Sequence, residues 1–289
     1  MGPTVRAAVW MSGAIAAFSS MAVAGRELGD ALDTFEIMTY RSAVGVAIVL
    51  AVGGLAGTLG DIRTRRLPLH LARNLSHFVG QNLWFYALTV IPFAQVFAFE
   101  FSTPIWVALA APFFLGEALT RRRLAAVFVG FLGILVVARP GIVPISGGVL
   151  AAAASALGFA GAAIATKRLT RTEGITGIMF WLTATQLGFG LVTALADGRM
   201  ARPHGTDVLL LVVVGFAGLF AHFCITRALQ IAPAVIVLPM DFMRLPIITL
   251  VGAAFYGEPA DAAVFAGAAL IFAANHANIR AERRAARSP

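Results

Sequence analysis

The sequence predicts an all-α integral membrane protein whose ten transmembrane helices form two inverted five-helix repeats. Three observations carry this. Hydrophobic residues make up 59% of the chain and charged residues 12%, with a mean hydropathy of +0.86; a soluble domain carries about 25% charged residues. The basic residues fall in short clusters between apolar runs. One apolar phrase occurs twice, 141 residues apart.

Apolar runs bounded by charges or Gly/Pro breaks place the helices near 5–25, 36–58, 71–90, 94–115, 124–140, 147–167, 174–195, 206–229, 235–255 and 262–280. Most have the roughly 20 residues needed to cross a hydrocarbon core of about 30 Å. The first is followed by Arg26, Glu27, Asp30 and Asp33, and Ala22-Val23-Ala24 is only a weak cleavage site, so a retained helix is expected. The fourth and ninth begin at Pro92 and Pro233, residues suited to a first helical turn. The fifth is the shortest and ends at Arg139-Pro140-Gly141. Gly130/Gly133 and Gly158/Gly161 suit close helix contact. Cys224 is the single cysteine, which excludes an intrachain disulfide or a cysteine metal cluster.

Orientation follows from the basic residues. With the N-terminus in the cytoplasm, fifteen of them are internal, from Arg6 through Arg63, Arg121 and Lys167 to Arg287. Only Arg26, Arg139, Arg199 and Arg202 are external. Both termini are therefore expected inside, in a bacterial inner membrane. Such clusters set topology, so the net charge of +8 does not argue for nucleic acid.

The repeated phrase runs from Ala87-Leu88 to Gly116-Glu117 and from Ala228-Leu229 to Gly257-Glu258, with about nine of 31 positions identical. It divides the chain into repeats at 1–141 and 142–289. Each holds five spans, an odd number, so the halves enter the membrane inverted. The charges agree: Glu117 precedes Arg121-Arg122-Arg123, whereas Glu258 precedes Pro259-Ala260-Asp261. Inverted halves provide two nearly equivalent packings, the basis of alternating access.

The phrase Phe85-Tyr86-Ala87-Leu88, Pro92-Phe93-Ala94, Phe101-Ser102-Thr103-Pro104 and Leu115-Gly116-Glu117 resembles the EamA-type, ten-helix proteins of the drug/metabolite transporter superfamily. Ala228-Leu229, Ala232-Pro233-Ala234, Pro246 and Gly257-Glu258 resemble the second EamA repeat, and Arg41 is similar to an arginine common there. The resemblance spans nearly the whole chain. It implies a carrier of small metabolites such as amino acids, riboflavin, S-adenosylmethionine or metallophores. Export is the direction family habit suggests. Glu100 and Asp241 depart from the family pattern, which is often uncharged there.

Ionisable groups inside a span are costly and usually face a partner or a wet cavity. Glu100 and Asp241 occupy equivalent places in the fourth and ninth spans. They are candidates for a substrate-cation or proton site; Asp241 could instead only pair with Arg244 at i+3. Asn74, His77, Gln81 and Trp84 share one face of the third helix, and the offset carries Gln81 to His222. These read as a cavity wall, or as hydrogen-bonding glue between helices. Arg41 could bind an anionic group or a helix C-terminus, or snorkel outward. Pro104 and Pro246 are expected inside helices, as hinges. Asn275, His276 and Asn278 read as interfacial.

No H-E-x-x-H, G-x-S-x-G or P-loop motif occurs. Neither cofactor nor metal is expected, and ATP is not the energy source within this chain. The expected function is secondary active transport of a small polar organic metabolite, amino-acid-like, cationic or zwitterionic. Protons are the candidate coupling ion, and the protein is expected to be a monomer or homodimer in the lipid bilayer. The alternatives are uptake of a vitamin or nucleoside-type metabolite, a non-transporting receptor or assembly factor, and an intramembrane enzyme.

Overall fold

A computed structural model describes residues 2–116, 120–140, 145–196, 198, 200–232, 237 and 240–285. Glu117, Arg199, Pro233, Arg287, the side chain of Asn278 and the 141/142 repeat boundary lie outside the described residues.

Helices follow the apolar runs closely. They are α1 (Pro3–Leu28), α2 (Thr34–Leu55), α3 (Leu67–Val90), α4 (Phe93–Glu100), α5 (Thr103–Phe114), α6 (Arg121–Ala138), α7 (Gly147–Leu169), α8 (Ile175–Ala194), α9 (Thr206–Ile231), α10 (Arg244–Tyr256) and α11 (Ala262–Ala285). Local chemistry sets their ends. Asp33 caps α2 through the amides of Phe35 and Glu36, and Glu36 returns a carboxylate oxygen to the Asp33 amide, a complete capping box. Gly257 ends α10 in the left-handed region, φ 65°, which favours glycine.

Among the described residues, six helical spans are long and apolar enough to cross a membrane, with α4 and α5 together forming one of 22 residues. Large apolar side chains are left on the outside of the bundle, among them Leu55, Phe113, Leu250 and Phe255. This is an all-α, multi-pass membrane protein whose outer apolar surface meets lipid.

Helix pairing has a simple order. The principal partners are α1 with α9, α3 with α7, α6 with α11, and α2 with α8. Counting α4/α5 as one span, exchange of the first five spans with the last five maps α1/α9 onto α7/α3. It leaves α2/α8 and α6/α11 each paired with itself.

Two of these seams rest on glycine. A Cβ on Gly158 would lie 2.7 Å from the Gly80 Cα and 2.8 Å from the Ser76 carbonyl. One on Gly133 would lie 2.6 Å from the Gly267 carbonyl. Backbone cannot swing aside as a side-chain tip can. Gly158→Ala is therefore expected to separate α3 from α7 and cost about 1–3 kcal/mol, read as a lower unfolding temperature in detergent.

The fourth and ninth spans are discontinuous. The α4 helix stops at Glu100, Phe101 and Ser102 form a turn, and α5 starts at Thr103. In the ninth, Met240 and Asp241 are helical, Phe242 and Met243 form the turn, and α10 starts at Arg244. The offset carries one break onto the other. This corrects the expectation that Pro104 and Pro246 kink helix interiors. Each sits in the first turn after a break, where its missing amide has no intrahelical acceptor to lose. The proline inside α5 is Pro112.

Candidate functional site

The two breaks meet. Phe101 and Phe242, counterparts under the 141-residue offset, stack with ring centroids 4.3 Å apart. The carboxylates immediately before them converge on one guanidinium. Arg244 Nη1 lies 3.1 Å from Glu100 Oε1, and Nη2 lies 2.5 Å from Asp241 Oδ2. Trp84 Nε1 donates to the other Glu100 oxygen at 2.9 Å. Phe18, Phe97 and Phe101 present ring faces to the Arg244 guanidinium at 4.7, 5.3 and 5.1 Å. Arg244 is 4% exposed, yet both charged arms are held. Two carboxylates share one guanidinium, so the group has one negative charge in excess when both are ionised, and Asp241 Oδ1 is buried without a hydrogen-bond partner.

Glu100 therefore has the counter-ion that its own helix lacks. Its partner lies 144 residues away, on the far side of the second break. Asp241 forms the expected i+3 pair, but the same arginine also serves Glu100, so the pair is not a closed local unit.

Loose backbone groups at the first break are also met. The Thr103 hydroxyl donates to the Glu100 carbonyl at 2.7 Å, and the Ser102 hydroxyl to the Phe99 carbonyl at 2.6 Å. Asn275 Nδ2 donates to the Phe101 carbonyl at 2.9 Å. Asn275 is buried, so its reading as an interfacial residue is corrected. A break 174 residues away leaves no mark on the periodicity of α11.

The polar stripe of α3 divides by depth. Asn74 donates to the Trp181 carbonyl at 2.8 Å and to Thr185 Oγ1 at 2.7 Å, and accepts from Arg73 Nη1 at 3.1 Å. His77 Nδ1 lies 2.8 Å from Gln186 Nε2. These two residues join α3 to α8. Trp84 belongs to the charge cluster. Between them, Gln81 is 4% exposed, and its Nε2 has no hydrogen-bond partner. His222 packs edge-on against Phe18 at 5.6 Å, and the same ring faces the Arg244 guanidinium at 4.7 Å.

Arg41 does not point along α2 to the surface. Its guanidinium lies against α9, where a Cβ on Gly218 would fall 2.8 Å from Nη2. Arg41, Gly218, His222, Phe18, Arg244, Glu100 and Trp84 thus form one chain of neighbours from α2 to α3.

At the end of the bundle where α1 and α3 finish and α4 begins, Arg26 is ion-paired with Glu258. Its remaining nitrogens donate to the carbonyls of Leu88 and Ile91. Glu258 Oε2 accepts from the Phe93 amide at 2.9 Å, and Arg26 lies 3.5 Å from the Phe93 ring centroid. A second pair, Arg139–Asp261, ties the end of α6 to the start of α11. Glu258, at the end of the repeated phrase, is thus part of a long-range joint.

Comparison with known proteins agrees with this architecture. The family model described as "EamA-like transporter family" matches residues 5–139. The chain is 33% identical to a riboflavin transporter of Rhizobium johnstonii over 233 residues, covering 80% of this chain and 76% of that one. It is 25% identical to an S-adenosylmethionine uptake transporter of Rickettsia felis, covering 96% and 93%. It is 26% identical to a pseudopaline exporter of Pseudomonas aeruginosa, covering 89% and 90%. A solved crystal structure superimposes with a TM-score of 0.66 at 21% identity, covering 98% of this chain and 99% of that one, which shows the shared fold. With these relatives spanning most of its length, the chain belongs to the EamA-like transporter family.

Proposed function

We propose that the protein is a secondary active transporter that moves a small polar organic metabolite across the bacterial inner membrane by alternating access. The observation that carries this is the meeting of two repeat-related helix breaks at a cluster of two carboxylates and one guanidinium. Discontinuous helices that place charge at mid-membrane are how such carriers build a binding site. The excess charge receives a positive one, from a proton or from the substrate's cationic group. The turns at Phe101-Ser102 and Phe242-Met243 act as the hinges. Both termini are cytoplasmic in this reading, which puts the Arg26–Glu258 joint at the outer end. The exchange symmetry of the helix pairs supports an inverted repeat with halves near 1–141 and 142–289.

The named relatives include an uptake transporter and an exporter, so the test must allow both directions. Purified protein in liposomes, loaded on either side with riboflavin, S-adenosylmethionine or amino-acid-like metallophores, is expected to exchange at least one of them faster than protein-free vesicles. Arg244→Met should abolish the exchange. If no compound in a broad metabolite panel moves in either direction, the transport reading fails.

A further inference from the structure

We infer that Arg41 is the anion-binding subsite of the substrate cavity, so that the transported metabolite carries a carboxylate, phosphate or similar anionic group. The inference deepens the transport reading and rests on it for the word substrate.

Arg41 is the eighth residue of α2, about 10 Å along that helix. Its guanidinium lies against Gly218, the thirteenth of the 26 residues of α9, which is the middle of a span. A cation at that depth is costly unless matched. Arg41 forms no ion pair among the described residues; the contact it makes is to Met38 Sδ at 3.5 Å. Glu36, the nearest carboxylate on its helix, is already used. One oxygen accepts from the Ala201 amide at 2.5 Å and the other from the Asp33 amide at 3.0 Å. Glu100 and Asp241 are held by Arg244.

The repeat shows that room for this guanidinium is built. The α3/α8 and α2/α9 seams are counterparts. In the first, Asn74 and His77 fill the seam and hydrogen-bond to α8. The offset carries Asn74 to Gly215 and His77 to Gly218. In the second seam the polar glue is thus replaced by two glycines, and the guanidinium occupies the space at Gly218. A Cβ there would displace it.

The site then has opposite charge at its two ends. Arg41 is a cation with no ion-pair partner among the described residues, and the Arg244 cluster is negative by one. Gln81, whose buried Nε2 lacks an acceptor, belongs to the same polar stripe. A guanidinium is a planar five-donor fork suited to carboxylate or phosphate oxygens. The geometry fits a metabolite with an anionic group at Arg41 and its positive or neutral part toward Asp241.

The test uses purified full-length protein in detergent and pairs of probes that differ by one anionic group. The pairs are S-adenosylmethionine against its decarboxylated form, and riboflavin 5′-phosphate against riboflavin; acetate and inorganic phosphate are titrated at matched ionic strength. Thermal unfolding reads binding through mass action. The anionic member of at least one pair should bind about tenfold tighter. Arg41→Gln should reduce that ratio to about one without weakening the other member, and Arg41→Lys should restore part of it. Gly218→Ala keeps the charge and moves the guanidinium, and should cut the ratio several-fold. Equal binding within every responsive pair, or a preference that survives Arg41→Gln, overturns the proposal. If neither pair responds, acetate and phosphate decide. Stabilisation of the wild type that Arg41→Gln loses supports the anion site while excluding these metabolites. No stabilisation overturns it. Should Arg41→Gln not fold, Gly218→Ala decides in its place: a reduced ratio supports the subsite, and an unchanged one overturns it.

Discussion

Arg244→Met is expected to destabilise the protein by about 3–5 kcal/mol, the cost of leaving buried charge without its partner, and to abolish transport. Glu100 and Asp241 both lose the guanidinium that holds them, and three aromatic faces lose their cation. Arg244→Lys should recover stability only in part, because a point charge cannot engage two carboxylates through separate nitrogens. The informative variant combines Arg244→Met with Glu100→Gln and Asp241→Asn. It removes every orphaned charge, so its unfolding temperature should return most of the way to the wild-type value while transport stays absent. A stable triple variant that transports normally would reduce the cluster to a structural joint. Glu100→Gln alone keeps shape and hydrogen bonding, with Arg244 still held by Asp241. Transport should fall sharply, and its pH profile should flatten if the cluster carries the coupling proton. Full activity with an unchanged profile removes Glu100 from the coupling mechanism.

Much of this cluster is legible in the sequence, and the missing part has a definite physical cause. Composition and apolar run length are local properties, so they place the spans closely. Glu100 and Asp241 stand out because a charge inside an apolar run is expensive, and the repeat aligns them. The partner of Glu100 does not stand out. A search at i±3 and i±4 covers one helix, whereas Arg244 reaches it from beyond the other break. The breaks are hidden for a related reason. Pro104 and Pro246 are conspicuous in a sequence, but the chain turns before each proline, at Phe101-Ser102 and Phe242-Met243, and at the first turn hydroxyls and Asn275 meet the loosened carbonyls. Asn74 and His77 share the helical phase of Trp84, yet phase alone does not say which neighbour each depth of the helix meets. Their role in the α3/α8 seam depends on the positions of Trp181, Thr185 and Gln186.

In the proposed orientation, Glu258→Gln is expected to open the outer end of the bundle. Arg26 and Glu258 form a joint among four elements: the end of α1, the end of α3, the start of α4 and the residue following the α10 cap. Both side chains are close to nine-tenths buried, 13% and 12% exposed, so solvent screens the pair weakly. Hydrogen bonds to charged groups contribute about 1.5–3 kcal/mol each, enough to shift the balance between two packings about tenfold or more in population. Gln81→Cys, in a Cys224→Ser background, reports access to the proposed cavity. Its reaction with a membrane-impermeant thiol reagent from outside should speed up about tenfold when Glu258→Gln is added, with transport slowed because the outward-open packing persists. Exchanging the charges, Arg26→Glu with Glu258→Arg, should not restore closure. The carbonyls of Leu88 and Ile91 need donors where Arg26 stands, and the Phe93 amide needs an acceptor where Glu258 stands. The same offset carries Arg26 to Lys167 and Glu258 to Glu117, so the sequence writes the same pair of charges into the opposite end. A rate at position 81 that does not change, or a charge exchange that fully restores closure, would mean that Arg26–Glu258 does not gate the outer end.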